Sequence, residues 1–263
     1  MESMNLPELS DRERARYARH LVLPSIGEAG QRQLKAARIL IVGAGGLGSS
    51  VALYLAGAGI GEIGIVDDDT VAFSNLQRQI LHGEGALDRP KVESAASRLT
   101  DLNRDVHVKT FAERFDRRSG RLIAADYDLI IDGTDNFETR YTINDVCLEF
   151  GIPYVYGAIF RMEGQVSLFC AEGGPCYRCV FPDPPPPESV MTCEETGVLG
   201  VVPGTIGTLQ ATEAIKWIVG IGAPLVNRLL VYDAARMRFE GISIERNPNC
   251  PACSKPAPSV ALG

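Results

Sequence analysis

Several short stretches of this 263-residue chain carry residue types whose spacing could do chemistry. The first is Gly43-Ala44-Gly45-Gly46-Leu47-Gly48, with Gly43, Gly45 and Gly48 in G-x-G-x-x-G spacing. Glycines let a backbone turn tightly and come close to a phosphate, and a helix behind them offers unpaired N–H groups and positive potential. Asp67 follows about 20 residues later, where a carboxylate can accept hydrogen bonds from a pair of ribose hydroxyls. Nicotinamide enzymes carry the same signature, so these residues alone leave the nucleotide open.

Three further features favour a triphosphate. Ser74-Asn75-Leu76-Gln77-Arg78-Gln79 is polar and basic. Lys91 stands in the first turn of an expected helix, with Pro90 as its first-turn proline. A cation there opposes the helix dipole at a cost of a few tenths to about 1 kcal/mol unless an anion is near; the alternative is a solvated surface lysine. In Asp132-Gly133-Thr134-Asp135-Asn136, an acid at the C-terminal end of a parallel strand suits Mg²⁺. That ion is held through one or two carboxylates plus phosphate oxygens. Asp135 as a helix N-cap is the plainer alternative, and the two roles are compatible.

The last feature is sulfur. Seven cysteines, an odd number, argue for thiols, metal ligands or a catalytic sulfur over a disulfide framework. Cys176-Tyr177-Arg178-Cys179 and Cys250-Pro251-Ala252-Cys253 together offer four thiolates to one tetrahedral Zn²⁺. Four protein ligands leave no position for water, so such a zinc is structural and pins the tail to the loop near Tyr177. Cys147 and Cys170, set among apolar residues, read as packing. Cys193 follows a proline run in Val190-Met191-Thr192-Cys193-Glu194-Glu195, where the two acids disfavour a thiolate.

The elements that must position these residues follow from periodicity. Apolar runs at Arg38–Val42 and Glu62–Val66, with further strands at Val106–Thr110 and Asp128–Asp132, alternate with helices. Those helices are expected over Ser49–Ala58, behind Pro90 (Val92, Ala95, Ala96, Leu99 and Leu102 at helical spacing) and between Phe137 and Phe150. Strand–helix alternation predicts a parallel sheet. Beyond Pro153 the strands Tyr154–Ala158, Gln165–Cys170, Leu229–Asp233 and Met237–Ile244 have few helices between them and predict antiparallel pairing. Ser10 and Glu13 form a capping box, so a helix starting there should carry Tyr17 and Leu21 on one face. The expected fold is α/β: a Rossmann-like mixed sheet, parallel and nucleotide-binding over about 38–150, mainly antiparallel and partner-facing over about 151–253. Residues 1–253 then make one domain. The segment Phe181 to Pro187, with its Asp-Pro-Pro-Pro-Pro run, should be an extended, exposed loop, and the Pro/Ala/Ser-rich tail 254–263 disordered.

A net charge of −7 and a pI near 5.1 argue against a nucleic-acid partner. No basic amphipathic stretch suggests a membrane surface, and residues 1–20 lack the apolar core of a secretory signal. The apolar segment Gly204–Gly222 contains Glu213 and Lys216 and reads as a buried helix, not a span. A cytoplasmic protein is expected.

The glycine loop, Ser74–Gln79, Pro90-Lys91-Val92-Glu93-Ser94, Asp132–Asn136 and Arg161-Met162-Glu163-Gly164-Gln165 are together similar to the HesA/MoeB/ThiF family, prokaryotic relatives of the ubiquitin-activating enzymes. The similarity runs from about Arg16 to Cys253. It implies an ATP-dependent adenylyltransferase that activates the C-terminal glycine carboxylate of a small ubiquitin-like sulfur-carrier protein ending in Gly-Gly. Molybdenum cofactor, thiamine or tRNA thiolation pathways would use it, with a separate protein as sulfur donor. By the resemblance Gly46 and Asp67 contact ATP, Asn75, Arg78 and Lys91 serve its phosphates, and Asp135 holds Mg²⁺. Arg19 reaches into the neighbouring subunit of a homodimer. Cys193 takes up the activated acyl group in some members. The nucleotide-site candidates are then Gly43, Gly45, Gly46, Gly48, Asp67, Ser74, Asn75, Leu76, Gln77, Arg78, Lys91, Asp135 and Asn136. The all-acid Asp67-Asp68-Asp69 departs slightly from relatives with an apolar middle residue. Three alternatives remain: an NAD-dependent dehydrogenase, which leaves Arg78, Lys91 and Asp135 without a role, a non-catalytic scaffold subunit, and a relative that adenylates a small molecule or a tRNA base.

Overall fold

Residues 6–186 and 193–254 are described in a computed structural model of the chain. The proline run as far as Pro186 has no regular structure and is mostly exposed, while Pro187 and the tail from Lys255 onward lie outside the described residues.

Eight strands form one sheet: β1 (Arg38–Val42), β2 (Glu62–Val66), β3 (His107–Phe111), β4 (Leu129–Asp132), β5 (Tyr154–Phe160), β6 (Glu163–Phe169), β7 (Arg228–Asp233) and β8 (Arg238–Ser243), in the order β3-β2-β1-β4-β5-β6-β7-β8. Pairing is parallel from β3 through to β5 and antiparallel from β5 to β8. The expected reversal beyond Pro153 is therefore present, with strand ends within two residues of those read from the sequence.

Ten helices connect and cover the strands among the described residues: α1 (Asp11–Arg16), α2 (Ala18–Leu21), α3 (Gly27–Ala36), α4 (Gly46–Ala58), α5 (Lys91–Leu102), α6 (Arg117–Ala124), α7 (Phe137–Phe150), α8 (Tyr177–Val180), α9 (Cys193–Thr196) and α10 (Val201–Val219). The parallel strands β1, β2 and β4 are buried on both faces, which explains their unbroken apolar runs, whereas β3 at the sheet edge has no fully buried residue. In β1, Ile39 and Ile41 join the core under α4, α5 and α10, while Leu40 and Val42 join the core under α6 and α7. At the other edge every residue of β8 is exposed. No described helix is long and apolar enough to cross a membrane.

The helix expected from Ser10 breaks early. Its capping box is formed, but Tyr17 closes α1 at φ −93°, ψ 15° and the chain restarts as α2. The Tyr17 ring fills the place a side chain would take at Gly59, and its hydroxyl accepts from Asn103 Nδ2 at 2.9 Å. Anchoring that ring turns Leu21 off its face, so Tyr17 is buried and Leu21 only partly so.

Candidate functional site

The C-terminal ends of β1, β2 and β4 open on a cavity of about 420 Å³. Its walls bring together Gly43, Gly45, Gly46, Asp67, Asn75, Arg78, Lys91, Asp135 and Asn136. That is where an open parallel sheet receives ligands.

The glycine loop is shaped by close approach. Gly43 has φ +98°, and a Cβ there would lie 2.7 Å from the Gly133 carbonyl oxygen. A Cβ on Gly48 would collide with the Gly43 carbonyl, so Gly48 packs the loop and does not line the cavity. Helix α4 begins at Gly46 rather than Ser49, so the N–H groups of its first turn open at the cavity rim. Its N-terminal turn meets α10, where Pro203 packs against Gly46.

Asp67 caps the end of β2 with its carboxylate turned back on the loop. Oδ2 accepts from the Ala44 N–H at 2.7 Å and Oδ1 from the Asp69 N–H at 2.9 Å. Burial pushes its carboxyl up, opposed by the Lys91 charge and these N–H groups. Lys91 is 5% exposed, which removes the alternative of a solvated surface lysine. Its Nζ lies 2.7 Å from Asp69 Oδ2 and 4.0 Å from Asp67 Oδ1. These acids offset the unfavourable helix dipole, and they require that Lys91 be shared between carboxylates and any incoming phosphate. Pro90 is the N-cap of α5, one residue earlier than a first-turn proline.

In the 74–79 segment only Asn75, Arg78 and Gln79 face the cavity. Gln79 Nε2 donates to Asn75 Oδ1 at 2.7 Å, which leaves the Asn75 amide nitrogen as the end available to an anion. Arg78 is held lightly, with its guanidinium donating to the Ser74 carbonyl at 3.3 Å. Ser74 is exposed, Leu76 is partly buried, and Gln77 lies against Gly200 at the start of α10.

Asp135 is exposed and makes no hydrogen bond or ion pair among the described residues. It is not the N-cap of α7. That role belongs to Asn136, whose Oδ1 accepts from the Thr139 N–H at 2.9 Å. Beneath it, Asp132 is completely buried and accepts at Oδ1 from the Thr134 N–H at 3.0 Å and hydroxyl at 2.6 Å. Arg140 Nε lies 3.2 Å from Asp132 Oδ2, and its NH2 donates to the Thr134 carbonyl at 3.2 Å. The guanidinium also stacks over the rings of Phe137 and Tyr156, 5.5 and 5.2 Å from their centroids. Burial alone would push the Asp132 carboxyl up; the Arg140 charge and the Thr134 donors pull it back. The loop carrying Asp135 thus stands on a buried ion pair.

Sequence patterns missed Arg140, Thr134 and Asp69, along with the wall residues Glu113, Arg114 and Phe115. A signal for Arg140 existed, since it stands one turn into α7 on the side of Asn136. Its partner could not be read from spacing.

The two C-x-x-C pairs meet although they are 74 residues apart. Sulfur–sulfur distances are 3.8 Å for Cys176–Cys179, 3.6 Å for Cys176–Cys250 and 3.4 Å for Cys179–Cys253, and all four sulfurs lie within 4.8 Å of one another. A tetrahedral Zn²⁺ with bonds of about 2.3 Å separates its sulfurs by about 3.8 Å. The thiols therefore already stand near the corners a zinc would require. Burial and the neighbouring Cys179 push Cys176 far up as a free thiol, a cost that a bound cation removes. Cys147 is fully buried in α7 and Cys170 Sγ lies 3.8 Å from Asn144 Oδ1.

Arg19, expected to serve the site of a neighbouring subunit, does not line this cavity. It is exposed on α2. Cys193 opens α9, but its side chain lies outside the described residues.

Comparison with known proteins agrees with this geometry. A model described as "ThiF family" matches residues 17–252. The SAMP-activating enzyme E1 of Haloferax volcanii is 48% identical over 240 residues, 91% of this chain and 88% of its own. The sulfur carrier protein adenylyltransferase of Thermus thermophilus is 46% identical over 243 residues, 90% of each chain. Among solved structures, E. coli MccB with selenomethionyl MccA has a TM-score of 0.82 at 22% identity, over 94% of this chain and 76% of that one. At that identity it speaks for the fold alone.

Proposed function

Because this chain belongs to the ThiF family, we propose that it is an adenylyltransferase which activates the C-terminal glycine carboxylate of a ubiquitin-like sulfur-carrier protein. The observation that carries this reading is the cavity itself. A glycine loop, an unpaired helix start, Arg78, Lys91 and the free carboxylate of Asp135 converge there.

The chemistry asks little covalent help from the protein. A carboxylate oxygen of the carrier attacks the α-phosphorus of ATP; an O–P bond forms, the α–β phosphoanhydride breaks, and pyrophosphate leaves. The nucleophile is already ionised, so no base is needed, and the task is to position two anions and compensate their charge. Asp67 takes the ribose, the glycine loop and Asn75 take phosphate oxygens, and Arg78 and Lys91 balance the charge that moves onto pyrophosphate. Asp135, with no protein partner, is the group that would hold Mg²⁺, which supplies charge neutralisation to the leaving phosphates.

A dehydrogenase would leave both cations and Asp135 without work, and the relatives named above argue against it. We further place the protein in the cytoplasm as a homodimer supplied by a separate sulfur donor, with Arg19 completing the partner's site. Val22 and Leu23, exposed next to Arg19, offer an apolar surface for that contact.

The test is ATP–pyrophosphate exchange, expected only with Mg²⁺ and a carrier ending in Gly-Gly. Exchange without a carrier, or none with any such carrier, sinks the assignment. In the same assay Arg19→Ala and Arg78→Ala should each be inactive. Mixed and allowed to exchange subunits, they should recover roughly a quarter of wild-type activity. No recovery after verified exchange would confine Arg19 to its own subunit.

We also assign one Zn²⁺ per chain to Cys176, Cys179, Cys250 and Cys253. Cys250→Ser should release the metal and lower the melting temperature while ATP affinity is kept. Metal-free protein from a chelator-free purification would remove the assignment.

A further inference from the structure

His82 has no part in the chemistry above, yet it is buried between two walls of the cavity. One ring nitrogen, Nε2, lies 2.9 Å from the Ala44 carbonyl oxygen in the glycine loop, and the other, Nδ1, lies 2.9 Å from Ser94 Oγ. Ser94 is one turn beyond Lys91 on α5. A carbonyl can only accept, so Nε2 must carry the proton, and Nδ1 then accepts from the serine hydroxyl. Burial holds the imidazole below its usual range and keeps this neutral form in place.

A trans peptide is planar, and its C=O and N–H point in opposite directions. His82 draws the Ala44 carbonyl away from the cavity it does not itself line. The N–H of the same peptide unit belongs to Gly45, which does line the cavity. That N–H has no acceptor among the described residues. Were this unit to flip, a carbonyl oxygen would face the phosphates in place of a donor. Glycine at 45 makes such a flip sterically easy, so something else must prevent it.

We propose that His82 is a positioning residue: by holding the Ala44 carbonyl, it turns the Gly45 N–H toward the nucleotide phosphates and ties the glycine loop to the helix carrying Lys91. The inference rests on the reading of the cavity as an ATP site.

Calorimetric titration with ATP and with adenosine, in the absence of carrier, separates this from a merely structural role. His82→Leu keeps volume and removes the donor, whereas His82→Gln puts an amide N–H near the position of Nε2. His82→Leu should weaken ATP about tenfold and leave adenosine unchanged within about twofold. His82→Gln should recover most of the ATP affinity. Equal ATP affinity in wild type and His82→Leu, or equal losses for ATP and adenosine, would overturn the proposal. If wild type binds adenosine but not ATP, or neither, the nucleotide reading falls and this inference with it. Nitrogen NMR of the wild-type imidazole gives a check that needs no variant. The Nε2–H tautomer is expected at neutral pH, and an Nδ1–H or doubly protonated ring contradicts the geometry.

Discussion

Asp135→Ala is expected to reduce carrier-dependent pyrophosphate exchange by at least about 100-fold, equivalent to some 3 kcal/mol of transition-state stabilisation. The side chain is exposed at the cavity, makes no hydrogen bond or ion pair among the described residues and does not cap α7, so its removal disturbs little of the fold. The melting temperature should stay within about 1–2 °C of wild type, the range of a surface substitution. ATP should still bind, because the glycine loop, Asp67 and Lys91 are untouched. The loss should appear as a lost dependence of the rate on Mg²⁺ concentration. An Asp135→Ala enzyme that keeps more than about a tenth of the exchange rate would take Asp135 out of the metal role. One that unfolds would show that the carboxylate serves structure after all.

Arg140→Met should be the most damaging single change to stability near the site. It strips Asp132, which is fully buried, of its only cationic partner among the described residues. Breaking a buried pair from one side costs about 3–5 kcal/mol, because an uncompensated charge is left behind. For a domain of this size that is a fall of roughly 10 °C in melting temperature. Replacing both partners, as Asp132→Asn with Arg140→Met, should recover a large part of the loss, since no buried charge then remains. Denaturant titration of the two single variants and the double variant tests this directly. Additive losses in the double variant would mean that ring stacking by Arg140, rather than its charge, holds the loop.

Much of the fold was legible because it is written in local periodicity. An apolar run such as Ile39–Val42 can bury both faces only in a parallel sheet covered on two sides, and the loss of intervening helices beyond Pro153 announces the change to antiparallel strands. The glycine spacing and the two C-x-x-C pairs were equally readable, since each is a local geometry that few residues can adopt. The helix from Ser10 was not, because its end depends on where the Tyr17 ring docks, across the chain at Gly59 and Asn103.

The sequence by itself therefore determined the class of fold, the phosphate-binding loop, the four clustered thiols and the residue types available to the cavity. Tertiary structure decided which of those side chains act and in what state. Lys91 at a helix start can serve a phosphate or sit solvated, and only its enclosure by Asp67 and Asp69 excludes the second. Asp135 and Asn136 are adjacent acceptors, and only the turn geometry shows that Asn136 takes the cap and leaves Asp135 free. Arg140 and His82 belong to no motif of their own, yet one supports the Asp135 loop and the other touches the glycine loop. The physical reason is common to all of these. Charge, protonation and donor direction are set by burial and by partners distant along the chain, and local spacing encodes neither.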